Sequence, residues 1–104
     1  MIYEMRTYDV KPGLLNAYLK LFNDVGLPER KPHNNLVGFW TTETGTLNQV
    51  VHIWRWVSLD QRGVLRNELL ENPKWALDFL PVAMPMLDRM TSVFMNPTSF
   101  SPLP

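Results

Sequence analysis

The amino-acid sequence predicts an α+β domain with the ferredoxin-like βαββαβ order of elements, and three observations support this prediction. Four segments contain the β-branched and aromatic residues typical of strands, and the first of them alternates polar and apolar residues with the period of a half-buried strand. Apolar residues recur every three or four positions in two further segments, which is the period of an amphipathic helix. A short turn joins the two middle strand segments, so they are expected to pair as an antiparallel hairpin. The order strand, helix, strand, strand, helix, strand is the split β-α-β pattern, with a four-stranded antiparallel sheet.

Length and composition set limits on the class of protein. The 104 residues, of which 45% are apolar, fit a single domain over residues 1–104. Ten basic and ten acidic residues cancel, and the basic ones are scattered, which argues against a nucleic-acid partner. The absence of cysteine excludes thiol chemistry and Cys-based metal sites. No apolar run reaches the roughly 20 residues that span a bilayer, so we expect a cytoplasmic protein without a membrane partner.

The first half of the chain begins with a strand over residues 2–8, which ends before Pro12-Gly13. A helix is expected from Leu14 to Val25, with Gly26 as its stop. Its apolar face comprises Leu14, Leu15, Tyr18, Leu19, Phe22 and Val25. Pro28 favours a further helical turn through Lys31, followed by a connector over residues 32–35.

The hairpin is expected to consist of a strand over 36–43, a turn over 44–47 and a strand over 48–56. Ser58 and Gln61 have the spacing of a capping box, which begins the second helix. Asn72 ends that helix, Pro73 opens another helical segment, and Pro81 limits its extension. Residues 87–95 form the last strand, and residues 96–104 are a Pro-rich tail.

The third strand is apolar on both faces, which predicts a partner for the sheet. His52 and Trp54 lie on one face of this strand, and Val51 and Ile53 lie on the other. Two helices cover only one face of a four-stranded sheet. A second copy of the chain is the simplest cover for the other face, so we expect a homodimer that packs sheet against sheet.

The register of the hairpin predicts which side chains share a face. With a four-residue turn, Glu43 lies opposite Asn48 and Phe39 lies opposite His52. The shared face then comprises Val37, Phe39, Thr41, Glu43, Asn48, Val50, His52, Trp54 and Trp56. A β-bulge would place Trp40 there instead. On the first strand, Glu4, Arg6 and Tyr8 share a face, and we expect it to be the His52 face.

Several candidate sites follow from these placements. His52 could act as a general base, a proton shuttle or an axial haem ligand, although a buried and satisfied histidine is the favoured interpretation. Glu4 and Glu43 could form an acid/base pair. Arg6 and Tyr8 could bind a carboxylate or phosphate, or Arg6 could simply pair with a neighbouring acid. The ligand-binding candidates are Arg6, Tyr8, Phe39, Trp40, Asn48 and Trp54, with His52 and Glu43 as the catalytic candidates.

No metal site or cofactor is predicted, because the two histidines, His33 and His52, have no ligand spacing and no Gly-rich phosphate loop is present. The four tryptophans could form an aromatic ligand box, but core and dimer packing explains them more simply.

Five segments together resemble the NIPSNAP family. They are MIYEMRTYDVKPG, LFNDVGLPERK, NNLVGFWTTETGTLNQVVHIW, NPKWALDFLP and FSPL. The resemblance covers nearly the whole chain, and its most specific part is the order GFW, glutamate, turn, NQVVHIW. It implies a dimeric α/β barrel. It implies no catalytic residues, because family members are mostly uncharacterised, and the mitochondrial adaptor role of longer animal relatives is not transferred to this chain.

Two classes of function are therefore open. The first is a homodimer that binds a small molecule in a cleft between sheet and helices, either as a binding protein or as a cofactor-independent enzyme. The second is a noncatalytic interaction or adaptor module, in which side chains would fill that space. Haem binding through His52 is a third alternative of lower weight.

Overall fold

The computed structural model describes all 104 residues and has the predicted ferredoxin-like fold. Four strands form one antiparallel sheet in the order β2-β3-β1-β4. They are β1 (Ile2–Val10), β2 (Leu36–Thr41), β3 (Gln49–Trp56) and β4 (Leu87–Met95). The last strand has the predicted bounds, whereas β1 is two residues longer than expected.

The first helical segment is longer than predicted, and the expected helix stop at Gly26 is wrong. Helix α1 (Leu15–Leu21) continues through a π-helical turn (Phe22–Gly26), α2 (Leu27–Arg30) and a 3₁₀ turn (Lys31–His33). Glycine at position 26 allows the two helical segments to pack closely, since a Cβ there would lie 2.8 Å from Cε1 of Phe79 in the second segment. The helical region ends at Asn34, whose left-handed backbone (φ 49°) closes its C-terminus.

The hairpin has the predicted register, with Phe39 opposite His52, but shorter strands. Thr42 to Asn48 lie outside the strands, and Gly45 and Asn48 take positive φ in the turn. A bulge lies between Leu36 and Gly38, so Leu36 pairs with Trp54. The bulge comes before Trp40, which therefore stays on the face away from His52.

The second helical segment begins as predicted, with Ser58 as the N-cap of α3 (Leu59–Glu71). The Ser58 hydroxyl accepts from the Gln61 amide at 3.1 Å, and the Gln61 side chain accepts from the amide of Val57 at 2.7 Å. A π-helical turn (Lys74–Phe79), α4 (Leu80–Ala83) and a 3₁₀ turn (Met84–Met86) follow. The prediction that Pro81 limits this segment is wrong, because Pro81 lies in the first turn of α4, where its missing N–H is tolerated.

The core lies between the helices and one face of the sheet and is mainly aromatic. Its largest buried members include Trp54, Trp56, Trp75, Phe22, Phe79, Tyr8 and Tyr18. The other face of the sheet has no helical cover. The tail returns to that face, where the Tyr3 hydroxyl donates to the carbonyl of Pro104 at 2.7 Å. None of the helices is both long enough and apolar enough to cross a bilayer.

Candidate functional site

A cavity of about 320 Å³ lies between the sheet and the two helical segments that cover it. Its walls are mainly hydrophobic, with a few charged groups among them. The strand residues that line it are Glu4, Arg6, Tyr8, His52, Trp54 and Trp56. Arg6 pairs directly with His52, and Glu4 pairs with Trp54, so the expectation that Glu4, Arg6 and Tyr8 share the His52 face is confirmed.

Glu4 is the most completely bonded side chain of the site. Its carboxylate has no solvent exposure and accepts five hydrogen bonds. Arg62 binds both oxygens at 2.9 and 3.0 Å, and Arg6 binds Oε2 at 2.8 Å. The Trp56 indole and the Ser92 hydroxyl donate the other two bonds. Burial alone would raise the pKa of Glu4, but the bonds from Arg62, Ser92 and Arg6 outweigh it and lower this pKa to about 2.

Arg6 and Tyr8 extend the Glu4 network along β1. Arg6 Nε donates to the Tyr8 hydroxyl at 2.6 Å, and its guanidinium lies 5.4 Å from the Tyr8 ring centroid. Burial opposes the charge of Arg6, but Tyr8 and Glu4 raise its pKa overall. The interpretation that Arg6 pairs with Glu4 is therefore confirmed, although the pair is partly buried rather than solvated, since Glu4 is fully enclosed and Arg6 is not.

His52 is enclosed and held in its neutral form. Its Nδ1 accepts from the Trp54 indole at 2.6 Å, and the ring of Phe39 stacks on it at 4.7 Å between centroids. Its Nε2 is buried without a hydrogen-bond partner. Burial, with the positive charges of Arg6 and Arg30, lowers the pKa of His52 to about 3.

These contacts argue against the chemical roles considered for His52. A general base needs a pKa near the working pH, and this imidazole remains unprotonated far below it while Trp54 occupies its accepting nitrogen. An axial haem ligand needs a nitrogen open to the iron, whereas Nε2 is closed to solvent and Nδ1 is bonded. The interpretation of His52 as a buried core residue is favoured, with the difference that one of its nitrogens stays unpaired.

The structure does not bring the remaining hairpin candidates to the cavity. Glu43 is exposed in the turn, and Asn48 also lies in the turn outside the cavity lining, so the structure does not form the acid/base pair of Glu4 with Glu43 considered above. The turn is longer than the four residues assumed, which removes both from the strand face. Trp40 lies on the open face, above Gly38. Phe39 packs between His52 and Phe22 and supports the site from behind.

Arg30 is a buried cation of the cavity without a bonded partner in the protein. It is 6% exposed, its guanidinium lies 3.9 Å from the Trp54 ring centroid, and the Trp75 ring is 5.3 Å away. Its side chain makes no hydrogen bond and no ion pair, and its Nε is fully enclosed. Burial, followed by the charge of Arg66, lowers the pKa of Arg30 to about 10. Arg30 remains a cation at neutral pH, with no anion beside it.

Arg66 adds a second unpaired cation from α3. It lines the cavity, makes no ion pair, and its pKa is lowered by burial and by the charges of Arg6 and Arg62. Glu4 is the only acidic residue in the lining, against Arg6, Arg30 and Arg66. Because Glu4 is already bonded to Arg6 and Arg62, the rest of the cavity is electropositive.

The sequence-based search missed Arg30, Arg62 and Arg66, although helical spacing could have found them. Arg62 and Arg66 are three residues before Leu65 and Leu69, the residues that α3 turns inward, so they lie on its apolar face. Arg30 is four residues after Gly26 and eight after Phe22, which places all three on one face of a continuous helix. The predicted helix end at Gly26 separates Arg30 from Phe22, so the sequence does not indicate that they share a helix face.

Comparisons with known proteins agree with the resemblance found in the sequence. The NIPSNAP family profile matches residues 3–102. Protein NipSnap homolog 3B of Mus musculus is 36% identical over 89 residues, which are 84% of this chain and 35% of that protein. The chain thus spans about a third of the length of the curated relatives it matches.

Solved structures give the same result for nearly the full chain. A NIPSNAP family protein of unknown function from Agrobacterium tumefaciens is 42% identical, with a TM-score of 0.92 over 99% of this chain and 93% of that one. An uncharacterised NIPSNAP domain protein from Burkholderia xenovorans is 37% identical, with a TM-score of 0.91 over 98% and 99% of the two chains. No catalytic role comes with these relatives. On its sequence and its fold, this chain belongs to the NIPSNAP family.

Proposed function

We propose that this domain is a homodimeric small-molecule-binding protein that holds its ligand in the cavity between the sheet and the helices. The observation that supports the proposal best is the cavity itself. About 320 Å³ of the space beside the aromatic core is left unfilled by side chains, and polar groups converge on it from β1, β3, α2 and α3. A mainly apolar concavity with a few placed polar groups is the usual form of a ligand site.

The chemistry of the lining supports binding rather than proton transfer. Glu4 has a pKa of about 2 and five donors around its carboxylate, and His52 has a pKa of about 3. Neither group changes protonation near neutral pH, which general acid–base catalysis requires. A cofactor-independent enzyme would need another residue for this role.

The alternative is a noncatalytic interaction module. Such a module would use its surface, and its interior would be filled with side chains to native density. The unfilled cavity and the unpaired charges in it argue for a ligand instead. The two proposals differ in one observable, which is whether a molecule occupies the cavity of the purified protein.

The open face of the sheet supports the homodimer. Met5, Val51 and Ile53 form its centre, with Trp40 and Val93 about half exposed beside them. An apolar patch on the centre of a sheet favours packing against an identical patch about a two-fold axis. The proposal also includes a cytoplasmic location, for which the absence of cysteine is a compatible observation.

Native mass spectrometry of freshly purified protein tests the proposal in one experiment. The expected spectrum is a dimer that carries additional mass, which denaturation of the protein releases as a small molecule. A dimer without added mass, which also shows no binding in the titrations described below, would support the interaction module. A monomer would overturn the sheet-to-sheet assembly.

Val93→Asp sharpens the assembly test, because it places a charge on the open face of the sheet. We expect this variant to be monomeric in the same spectrum. Val64→Asp is the matched control, since Val64 is similarly exposed but lies on the outer surface of α3. Equal effects of the two variants would contradict the proposed interface.

A further inference from the structure

We propose that the ligand is a small organic carboxylate whose negative group is held by Arg30, with Arg66 as a second cation and the aromatic walls around its apolar part. This inference rests on the proposed function and adds the chemical class of the ligand. Four features of the cavity support it: the burial of Arg30, its missing partner, the balance of charge in the lining, and the nature of the walls.

The burial of Arg30 makes its missing partner costly. A buried charge without a counter-charge loses several kcal/mol of solvation, which is why buried arginines normally pair with carboxylates. Stacking on Trp54 at 3.9 Å recovers part of this energy, because the ring face attracts the cation. It leaves the planar N–H groups of the guanidinium without acceptors. An anionic ligand would supply those acceptors.

No side chain of the protein can supply them instead. The only carboxylate in the lining, Glu4, already accepts from Arg6, Arg62, Trp56 and Ser92. Glu29 precedes Arg30 in α2 and makes no ion pair, and the exposed Glu68 of α3 approaches His33 at 4.0 Å rather than Arg30. Only Nε is fully enclosed, so the acceptor for the rest of the guanidinium comes from outside the chain, as water in the free protein and as the anionic group when the ligand is bound.

The charge of Arg66 gives the negative group a second partner. Arg66 and Arg30 line the same cavity, and the positive charge of Arg66 contributes to the lowered pKa of Arg30. Two like charges that face one low-dielectric space repel each other, and an anion between them converts that repulsion into attraction. The Tyr18 hydroxyl, which lines the same space and makes no hydrogen bond to protein, is a further donor.

The walls favour a carboxylate over a phosphate. Fourteen of the 19 lining residues are hydrophobic, including Trp75, Phe79 and Leu80. A guanidinium fork matches the two oxygens of a carboxylate, whereas a phosphate adds a third oxygen and more charge that apolar walls cannot bond. The walls suit an apolar or aromatic body attached to the carboxylate. The exposed side chains of Leu70, Met84 and Met90 also belong to the lining and mark where such a molecule enters.

Tryptophan fluorescence provides the test, because Trp54, Trp56 and Trp75 line the cavity. The probes are two matched pairs, phenylacetate with phenylacetamide and hexanoate with hexanamide, which differ mainly in charge. We expect each acid to bind at least about tenfold more tightly than its amide. Arg30→Met should remove the preference for each acid over its amide. Lys74→Met, which removes an exposed cation that lies outside the cavity lining, should bind like the unchanged protein.

The outcomes separate this inference from the proposed function. Amides that bind as tightly as their acids would overturn the carboxylate and leave a small-molecule site in place. No response to any of the four probes by correctly folded protein would count against both. If Arg30→Met fails to fold, Arg30→Lys and Arg66→Met test the same point. Lysine should keep the preference for the acids in weakened form, and Arg66→Met should reduce it; an unchanged preference in both would overturn the assignment.

Discussion

Two charged regions of the same cavity differ in how completely their charges are compensated. At Glu4, one buried carboxylate is surrounded by five donors, two of them from the bidentate Arg62. At Arg30, one buried guanidinium is stacked on Trp54 and bonded to nothing. Both groups are buried, and both lie next to Trp54, so the difference in their hydrogen bonding is not explained by burial alone.

The difference teaches how to distinguish a structural charge from a ligand-binding one. A buried carboxylate with every oxygen bonded ties β1, β4 and α3 together and has no capacity for a further partner. A buried cation with unsatisfied donors costs stability in the free protein and gains a partner only when an anion arrives. We therefore assign Glu4 to the stability of the fold and Arg30 to the ligand.

The largest effect is expected from Glu4→Gln. This change leaves the partly buried Arg6 and Arg62 beside a neutral amide and should lower the free energy of unfolding by about 3 to 5 kcal/mol. Urea denaturation at a fixed protein concentration measures it. Glu68→Gln, at an exposed position of α3, is the control and should change stability by less than about 0.5 kcal/mol. A Glu4→Gln variant as stable as this control would mean that the Glu4 network is not structural.

The pH dependence of stability distinguishes the two regions next. Glu4 has a pKa of about 2 in the folded protein against 4.5 as a free group, so its contribution is complete above pH 4.5 and is lost as the pH falls toward 2. His52, beside Arg30, has a pKa of about 3 against 6.5, so the unfolded chain takes up its proton first. Stability should therefore fall from pH 6.5 downward, by at most about 1.4 kcal/mol per pH unit for His52.

His52→Gln separates the two contributions, because glutamine can still accept a hydrogen bond. Denaturation midpoints of this variant should fall less steeply from pH 6.5 to 5 than those of the unchanged protein, because only His33 still contributes there, and should then fall with Glu4. His33→Gln is the control, since burial also lowers the pKa of His33 although it lies outside the cavity. If His52→Gln keeps the full slope between pH 6.5 and 5, His52 is not the group that titrates.

Gly26→Ala tests the close packing of the two helical segments at Gly26, four residues before Arg30. The added methyl would lie 2.8 Å from the Phe79 ring and should cost about 1 to 3 kcal/mol by overpacking. Gly63→Ala, in the open middle of α3, should instead stabilise the protein by about 0.5 to 1 kcal/mol. Thermal unfolding of both variants checks the sign. Two stabilised variants would show that Gly26 is not close-packed.

The smallest change in stability is expected from Arg30→Met. Methionine removes an uncompensated buried charge but also the contact with Trp54, so the free energy of unfolding should rise or change by less than about 1 kcal/mol. The same urea denaturation used for Glu4→Gln gives the direct comparison. A loss as large as that of Glu4→Gln would mean that Arg30 is a structural charge like Glu4.

The sequence predicted the fold closely because its signals are local and consistent. Strand alternation, the hairpin register of Phe39 with His52, the Ser58 cap and the bounds of β4 all agree with the structure. The errors arose where tertiary packing overrides a local signal. Gly26 is a helix breaker by propensity, yet close contact with Phe79 makes glycine the residue that fits.

The site was less predictable than the fold, for a physical reason. The sequence placed Arg6, Tyr8, His52 and Trp54 on one face, and that placement is correct. It could not show that Arg62 bonds Glu4, that Arg66 lines the same cavity, or that Arg30 has no partner, because each of these depends on how residues far apart in the chain are placed in the fold. Glu43 and Asn48 were included because the turn was assumed to be shorter than it is.

A crystal structure of the protein with 4-bromophenylacetate tests the central claim most directly, because anomalous scattering locates the bromine independently of the carboxylate. Our account predicts the carboxylate within hydrogen-bond distance of Arg30, about 3 Å, and the bromophenyl ring among the aromatic walls. The Glu4 network should be unchanged. A carboxylate bound elsewhere, with Arg30 still unpaired, would contradict the assignment of this arginine to a ligand.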